Sequence, residues 1–154
     1  FLSCSKNNEI PITDLKMTRF MIPLEEAVKL VWHAFENSLG GEIYVKKIPS
    51  MKIVDIAKAV SENSKHKIIG IRPGEKIHEQ MIGLEDAPYT FEYEDYYKIL
   101  PALNNLYNDN LRIAKGKKVP TNFVYSSEKN NDWMTINQLR IWIEKNTNEM
   151  LKIS

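Results

Sequence analysis

The stretch Pro23-Leu24-Glu25-Glu26-Ala27-Val28-Lys29-Leu30-Val31-Trp32-His33-Ala34-Phe35-Glu36-Asn37-Ser38-Leu39-Gly40-Gly41-Glu42-Ile43-Tyr44-Val45-Lys46-Lys47-Ile48 changes its apolar period once, and that change decides the fold class. Leu24, Ala27, Val28, Val31 and Phe35 follow helical spacing; Pro23 suits a first turn, and Glu25-Glu26 favour the positive end of a helix. Gly40-Gly41 supplies the stop. Glu42 to Ile48 then reads as a strand, with Ile43 and Val45 on one face and Tyr44 on the other.

Upstream, Glu9 to Thr13 is extended because Pro11 restricts Ile10, Asp14 begins a turn, and Thr18 to Ile22 is a brief apolar strand or link. Downstream, Pro49-Ser50 breaks the strand. Ser50 is the expected N-cap of a second helix with an apolar stripe at Ile53, Ile56, Ala57 and Val60. Lys67 to Ile71 is a further extended run ended by Arg72-Pro73-Gly74, and Glu75 to Ile82 resumes helical spacing through Ile77, Met81 and Ile82. Tyr89, Phe91 and Tyr93 alternate as in a strand, and the acidic aromatic run extends to Tyr97. Asn104 to Pro120 is expected to be loop-rich, its Lys115-Gly116-Lys117-Lys118 cluster a solvated turn. Thr135 to Leu151 closes the chain as a helix through Ile136, Leu139, Ile143 and Met150. The alternation predicts an α/β domain with a small sheet and helices.

Composition narrows the function classes. The chain has 154 residues, enough for one domain with a real core. Basic and acidic residues nearly balance, 21 against 20, which argues against a nucleic-acid-binding module. No apolar run approaches the roughly 18 residues that span a bilayer, so no membrane partner is expected. A single cysteine, Cys4, excludes an intramolecular disulfide, and a cytoplasmic location follows as the default. The opening Phe1-Leu2-Ser3-Cys4-Ser5-Lys6-Asn7-Asn8 reads as a helix tail entering a polar turn, as though the chain were entered partway; a trimmed protein would look the same.

Arginine occurs only at Arg19, Arg72, Arg112 and Arg140, which makes its placement informative, since its planar fork suits phosphate. In Gly70-Ile71-Arg72-Pro73-Gly74-Glu75-Lys76, Arg72 sits at a strand end next to an expected helix start, where anions bind well, and Glu75 can accept from a diol such as a ribose. A turn with a surface salt bridge is the competing reading. Arg19, flanked by apolar residues in Met17-Thr18-Arg19-Phe20, needs an anion, a carbonyl or a structural ion-pair partner if it is part-buried. Tyr125-Ser126-Ser127-Glu128-Lys129 has the Tyr-x-x-x-Lys spacing of a dehydrogenase pair, but it lies in a polar, turn-like setting and about one such match is expected by chance. His33, His66 and His78 are scattered and suggest no metal site. None of the six glycines forms a dinucleotide-binding loop, so a complete hydride-transfer enzyme is not expected.

Five ordered motifs together resemble one family: Ile10-Pro11-Ile12-Thr13-Asp14, Met17-Thr18-Arg19-Phe20, Gly41-Glu42-Ile43-Tyr44-Val45, Lys47-Ile48-Pro49-Ser50-Met51-Lys52 and Gly70-Ile71-Arg72-Pro73-Gly74-Glu75-Lys76-Ile77-His78-Glu79. The match continues through Phe91-Glu92-Tyr93-Glu94-Asp95-Tyr96-Tyr97 and Tyr125-Ser126-Ser127 to Asn131 and Trp133. The chain is similar to the C-terminal half of inverting UDP-N-acetylglucosamine 4,6-dehydratases, extended short-chain dehydrogenases that feed surface-sugar pathways such as pseudaminic acid synthesis. Met21 and Pro23 depart from the aromatic and the Thr-type cap usual there.

The resemblance implies the α/β substrate-binding lobe of a Rossmann-type enzyme across residues 1–154. Pro11, Ile12 and Thr13 would lie against the uracil, Arg19 and Arg72 would meet the diphosphate, and Glu75 would bind the ribose hydroxyls of UDP-N-acetylglucosamine. It also implies a reaction with NADP: oxidation at C4, loss of water across C5–C6, and return of hydride to C6 with inversion at C5. The NADP-binding Rossmann half, with the catalytic tyrosine and lysine, has no counterpart here, so the lobe is expected to lack catalytic residues and to be inactive alone. That half is its implied partner, and the complete protein is expected to be a homo-oligomer. A related UDP-sugar epimerase, a retaining dehydratase and a stand-alone non-catalytic lobe that binds nucleotide or protein are the alternatives.

Overall fold

A computed structural model describes residues 9–102 and 110–153. The chain folds as two compact units. One takes Phe1–Met21, Pro49–Glu79 and Asn130–Ser154, the other Ile22–Ile48 and Gln80–Lys129. The expected helix tail at Phe1–Asn8, Cys4, and the first part of the expected loop after Asn104 lie outside the described residues.

In the first unit, β1 (Glu9–Ile12) pairs in parallel with β5 (Lys65–Ile68). A parallel pair needs a crossover, and α2 (Ile53–Val60) lies on it. Ile10 and Ile12 are fully buried and meet Ala57, with Ile53 and Val54 at the margin. A second cluster joins Met51 and Ile56 to Leu139 of α4 (Ile136–Ile153). Thr135 caps α4 reciprocally: its hydroxyl accepts from the Gln138 N–H, while the Gln138 side-chain oxygen accepts from the Thr135 N–H at 2.8 Å. Strand β2 (Thr18–Phe20) runs antiparallel to β4 (Ser50–Lys52).

Ser50 is therefore not the helix cap its sequence context suggests. It is fully buried in β4, its N–H donates to the Asp132 carbonyl and its carbonyl accepts from Met134. The helix starts at Ile53, whose N–H donates to the Met17 carbonyl at 3.0 Å, so a distant backbone group fills the role of a cap.

In the second unit, α1 (Leu24–Asn37) precedes β3 (Ile43–Lys46), as the change of period predicts. Gly40 and Gly41 carry φ of +112° and +82°, a backbone that L-residues rarely adopt. The antiparallel order is β3, β8 (Tyr96–Ile99), β7 (Thr90–Glu92), β9 (Lys117–Lys118). The aromatic run to Tyr97 is a hairpin, because the Tyr93 N–H closes onto the Tyr96 carbonyl around Glu94-Asp95. Part of the expected lysine turn is likewise strand β9. Short strands β6 (Gln80–Ile82) and β10 (Tyr125–Ser126) pair separately, and α3 spans Asn110–Ile113.

Lys98 is 5% exposed and donates to the Arg112 carbonyl at 2.8 Å, between the Tyr44 and Tyr93 rings. Burial pulls its pKa below the ordinary lysine value. Arg112 in turn pairs with Glu42, whose side chain is wholly buried. These contacts fasten α3 to the sheet.

Burial pushes the Tyr93 and Tyr97 phenols up to about 12. The folded chain therefore holds protons that the unfolded chain releases near pH 10. Their stabilisation is full below about pH 10 and lost as the pH rises towards about 12. In an alkaline titration followed by phenolate absorbance and circular dichroism, these two rings should stay protonated past pH 10 and ionise together with unfolding. Simultaneous ionisation of all seven tyrosines with the fold intact would contradict the assignment.

Candidate functional site

The two strands of the parallel pair end on the same side. β1 delivers Thr13, and β5 delivers the segment from Ile69, whose N–H donates to the Ile12 carbonyl at 2.9 Å. C-terminal strand ends are where open α/β sheets place their ligands.

The next turn follows from Pro73-Gly74. The Glu75 N–H donates to the Arg72 carbonyl at 3.0 Å, and Gly74 has φ +81°, as a type II turn requires after proline. The Glu75 carboxylate accepts from the Arg72 N–H at 3.2 Å and from the Thr13 hydroxyl at 3.3 Å. It also lies 4.0 Å from Arg19 Nη2.

The helix expected from Glu75 to Ile82 is absent. A helix would commit the Ile77 carbonyl to the N–H of Met81. Instead it accepts from the Thr18 N–H at 3.0 Å and from Arg19 Nη1 at 3.1 Å, while Gln80–Ile82 becomes β6. Arg72 is therefore not beside a helix N-terminus, and that part of its anion-binding rationale falls.

Arg19 is held in place. Nη1 also donates to the Thr18 carbonyl at 2.7 Å, and Nε lies 3.5 Å from Glu79. Its side chain is 21% exposed, so the two carboxylates and two carbonyls supply the partners a half-buried guanidinium needs. Arg72 is exposed, and its guanidinium makes no hydrogen bond or ion pair among the described residues. The structure brings Thr13, Arg19 and Glu75 into one network and leaves Arg72 on the rim of the same turn. Ile12 faces the core; Pro11 and Thr13 are half-buried.

Sequence reasoning missed Glu79 and His78. Glu79 pairs with Arg19, and His78 Nδ1 shares a 2.8 Å hydrogen bond with the Thr18 hydroxyl. Their partners, Arg19 and Thr18, lie about 60 residues away in the chain, so local spacing carried no signal for these contacts.

Tyr125 and Lys129 do not share a helical face. Tyr125 is 4% exposed in β10, and its hydroxyl donates to the Ile48 carbonyl and accepts from the Ile48 N–H at 2.9 Å. Among the described residues no three His, Cys, Asp or Glu side chains converge as metal ligands, and no helix is long and apolar enough to cross a membrane.

Two substitutions probe these assignments. Gly74→Ala should destabilise by about 1–2 kcal/mol because the turn requires positive φ, whereas exposed Lys76→Ala should stay within about 0.5 kcal/mol in urea denaturation. Tyr125→Phe should cost about 1–3 kcal/mol by removing the hydroxyl that both donates to the Ile48 carbonyl and accepts from the Ile48 N–H. Wild-type stability in either Gly74→Ala or Tyr125→Phe would refute the corresponding constraint.

Comparison with known proteins agrees with the motif set. A family model described as polysaccharide biosynthesis protein matches residues 3–101. A Campylobacter jejuni protein named UDP-N-acetylglucosamine 4,6-dehydratase (inverting) is 49% identical over 136 residues, 85% of this chain and 41% of the relative. A Rickettsia canadensis UDP-glucose 4-epimerase is 41% identical over 98 residues, 61% of this chain and 29% of the relative. The X-ray structure of Pen from Bacillus thuringiensis superposes with a TM-score of 0.75 at 28% identity, covering 94% of this chain and 42% of that one. The chain thus spans about two fifths of the length of the dehydratase it matches. The resemblance carried by the five motifs holds, and the chain belongs to the polysaccharide biosynthesis protein family.

Proposed function

We propose that this chain is the UDP-sugar-binding lobe of an inverting UDP-N-acetylglucosamine 4,6-dehydratase, acting in surface-polysaccharide synthesis such as the pseudaminic acid route. The observation that carries the reading is 49% identity to the Campylobacter jejuni enzyme over 136 residues. The complete enzyme is a cytoplasmic, NADP-dependent lyase and a homo-oligomer on this reading, and residues 1–154 are its substrate lobe.

The described residues do not fit a dinucleotide. Helix α2 follows β4 directly, from Lys52 to Ile53, with no glycine turn to cradle a pyrophosphate, and the Pro73–Gly74 turn leads into no helix. On this reading NADP and the hydride-transfer residues belong to a second half, and these side chains carry no chemical step.

What this lobe does is bind and orient. A carboxylate has about four lone-pair sites, so Glu75 keeps acceptor capacity for ribose hydroxyls beyond the Thr13 and Arg72 N–H donors. Arg19 is pre-positioned by the carbonyls of Thr18 and Ile77, and its Nη2 edge, 4.0 Å from Glu75, is the one left to meet a phosphate. Exposed Arg72 supplies the second positive charge without first breaking an ion pair. Pro11 and Thr13 border the uracil; Ile12 supports them from the core.

The Rickettsia relative keeps a UDP-sugar epimerase as the second reading. Product analysis separates the two: a 4-keto-6-deoxy sugar inverted at C5 supports the dehydratase, and a 4-epimer supports the alternative.

Calorimetric titration of UDP into the chain, combined with the part of the Campylobacter jejuni enzyme it lacks, tests the site. Arg72→Ala should weaken UDP by on the order of 10- to 100-fold, the loss of a charge-assisted contact worth about 1.5–3 kcal/mol. Unchanged affinity would remove Arg72 from the diphosphate site.

A further inference from the structure

Three consecutive residues, Ile77, His78 and Glu79, grip the pair Thr18-Arg19. The Ile77 carbonyl accepts from the Thr18 N–H at 3.0 Å and from Arg19 Nη1 at 3.1 Å. His78 Nδ1 shares a 2.8 Å hydrogen bond with the Thr18 hydroxyl, and Glu79 lies 3.5 Å from Arg19 Nε. Thr18 is 4% exposed, so the grip is anchored in the interior of the first unit.

Glu79 exceeds what charge balance asks for. One carboxylate neutralises one guanidinium, yet among the described residues Arg19 stands between two: Glu79 at Nε and Glu75 at Nη2, 4.0 Å away. As a surface ion pair the Glu79 contact adds little, because its side chain is 42% exposed and screened by water. Beside a diphosphate its charge would repel the ligand.

The geometry gives the two carboxylates different roles. Glu75 belongs to the Pro73–Gly74 turn, where it accepts from the Thr13 hydroxyl and the Arg72 N–H. Glu79 reaches the guanidinium from the Nε side. A guanidinium is planar, so holding Nη1 on the Thr18 and Ile77 carbonyls and Nε on Glu79 fixes the direction of Nη2. Without Glu79 only Nη1 is held, and the group can pivot about it towards Glu75. Closing the 4.0 Å gap would tie Nη2 and Glu75 to each other, the two groups that a nucleoside diphosphate needs.

On the reading of this lobe as a UDP-sugar site, we infer that Glu79 is a positioning residue: it holds Arg19 off Glu75, so that Nη2 meets the diphosphate and Glu75 the ribose diol. Preorganisation of this kind lowers the cost of ordering the site when ligand arrives.

The sign of one substitution decides between positioning and simple charge. If Glu79 acted on the ligand through charge alone, Glu79→Ala would remove a repulsion and tighten UDP. As a positioning residue, its loss should weaken UDP by on the order of 10-fold. The measurement is calorimetric titration of the chain combined with the part of the Campylobacter jejuni enzyme it lacks. In an Arg19→Ala background the same substitution should change affinity by less than about 2-fold, because Glu79 acts through Arg19. Glu79→Gln keeps an acceptor for Nε–H without the charge, and Glu79→Asp keeps the charge but loses the reach. Gln should stay within about 3-fold of wild type and bind UDP more tightly than Asp. Glu62→Ala, the same loss of charge from a 75% exposed side chain, should leave affinity unchanged. Circular dichroism verifies the fold of each variant, and the Gln and Asp pair carries the test if Glu79→Ala does not fold. Unchanged or tighter UDP in Glu79→Ala, an equal loss in the Arg19→Ala background, or Asp binding better than Gln would each overturn the assignment of Glu79 and leave the UDP site standing. A wild-type complex that binds no UDP would sink the functional proposal, and the role of Glu79 with it.

Discussion

The carbonyl of Ile77 cannot serve a helix and strand β2 at once, and the first unit depends on its serving β2. It accepts from the Thr18 N–H and from Arg19 Nη1. Each net hydrogen bond is modest, about 0.5–1.5 kcal/mol, but together they fix a segment whose apolar spacing favours helix. Unwinding there releases Gln80–Ile82 to form β6 and swings Glu79 to Arg19. The same contact orients the guanidinium, so a backbone constraint and a candidate ligand group are set by one event.

The Pro73–Gly74 turn is its complement. A positive φ at Gly74 lets Glu75 fold back to accept from the Arg72 N–H, and its second oxygen meets Thr13. Thr13 follows a strand whose residues Ile10 and Ile12 are fully buried, so the polar network stands on a rigid apolar base. Such an arrangement limits the entropy lost when a ligand orders the groups that hold it. The two arginines are unequal: Arg19 is part of the scaffold, and Arg72 is an exposed charge on the rim.

The second unit shows a different imbalance. On its sheet, Lys98 lies under two tyrosine rings and Arg112 pairs with Glu42, whose side chain is buried. Its helix α1 and edge β3 leave apolar surface and backbone groups facing outward. The chain covers about two fifths of the length of the dehydratase it resembles.

By itself the sequence determined what local chemistry controls. Helix α1 and its glycine stop follow from the apolar period and Gly40-Gly41, α4 from its apolar spacing, the α/β character from the alternation, and the family from five ordered motifs. Ser50, Ile77 and Tyr125 were not legible, because each is decided by a partner far along the chain: Asp132 for Ser50, Thr18 for Ile77, Ile48 for Tyr125. Only tertiary structure could decide that Arg19 and Glu75 share a network, that Glu79 joins it, and that Arg72 stands outside any helix start. The physical reason is that a backbone carbonyl or guanidinium has few partners to give, and the fold, not the local spacing, chooses among them.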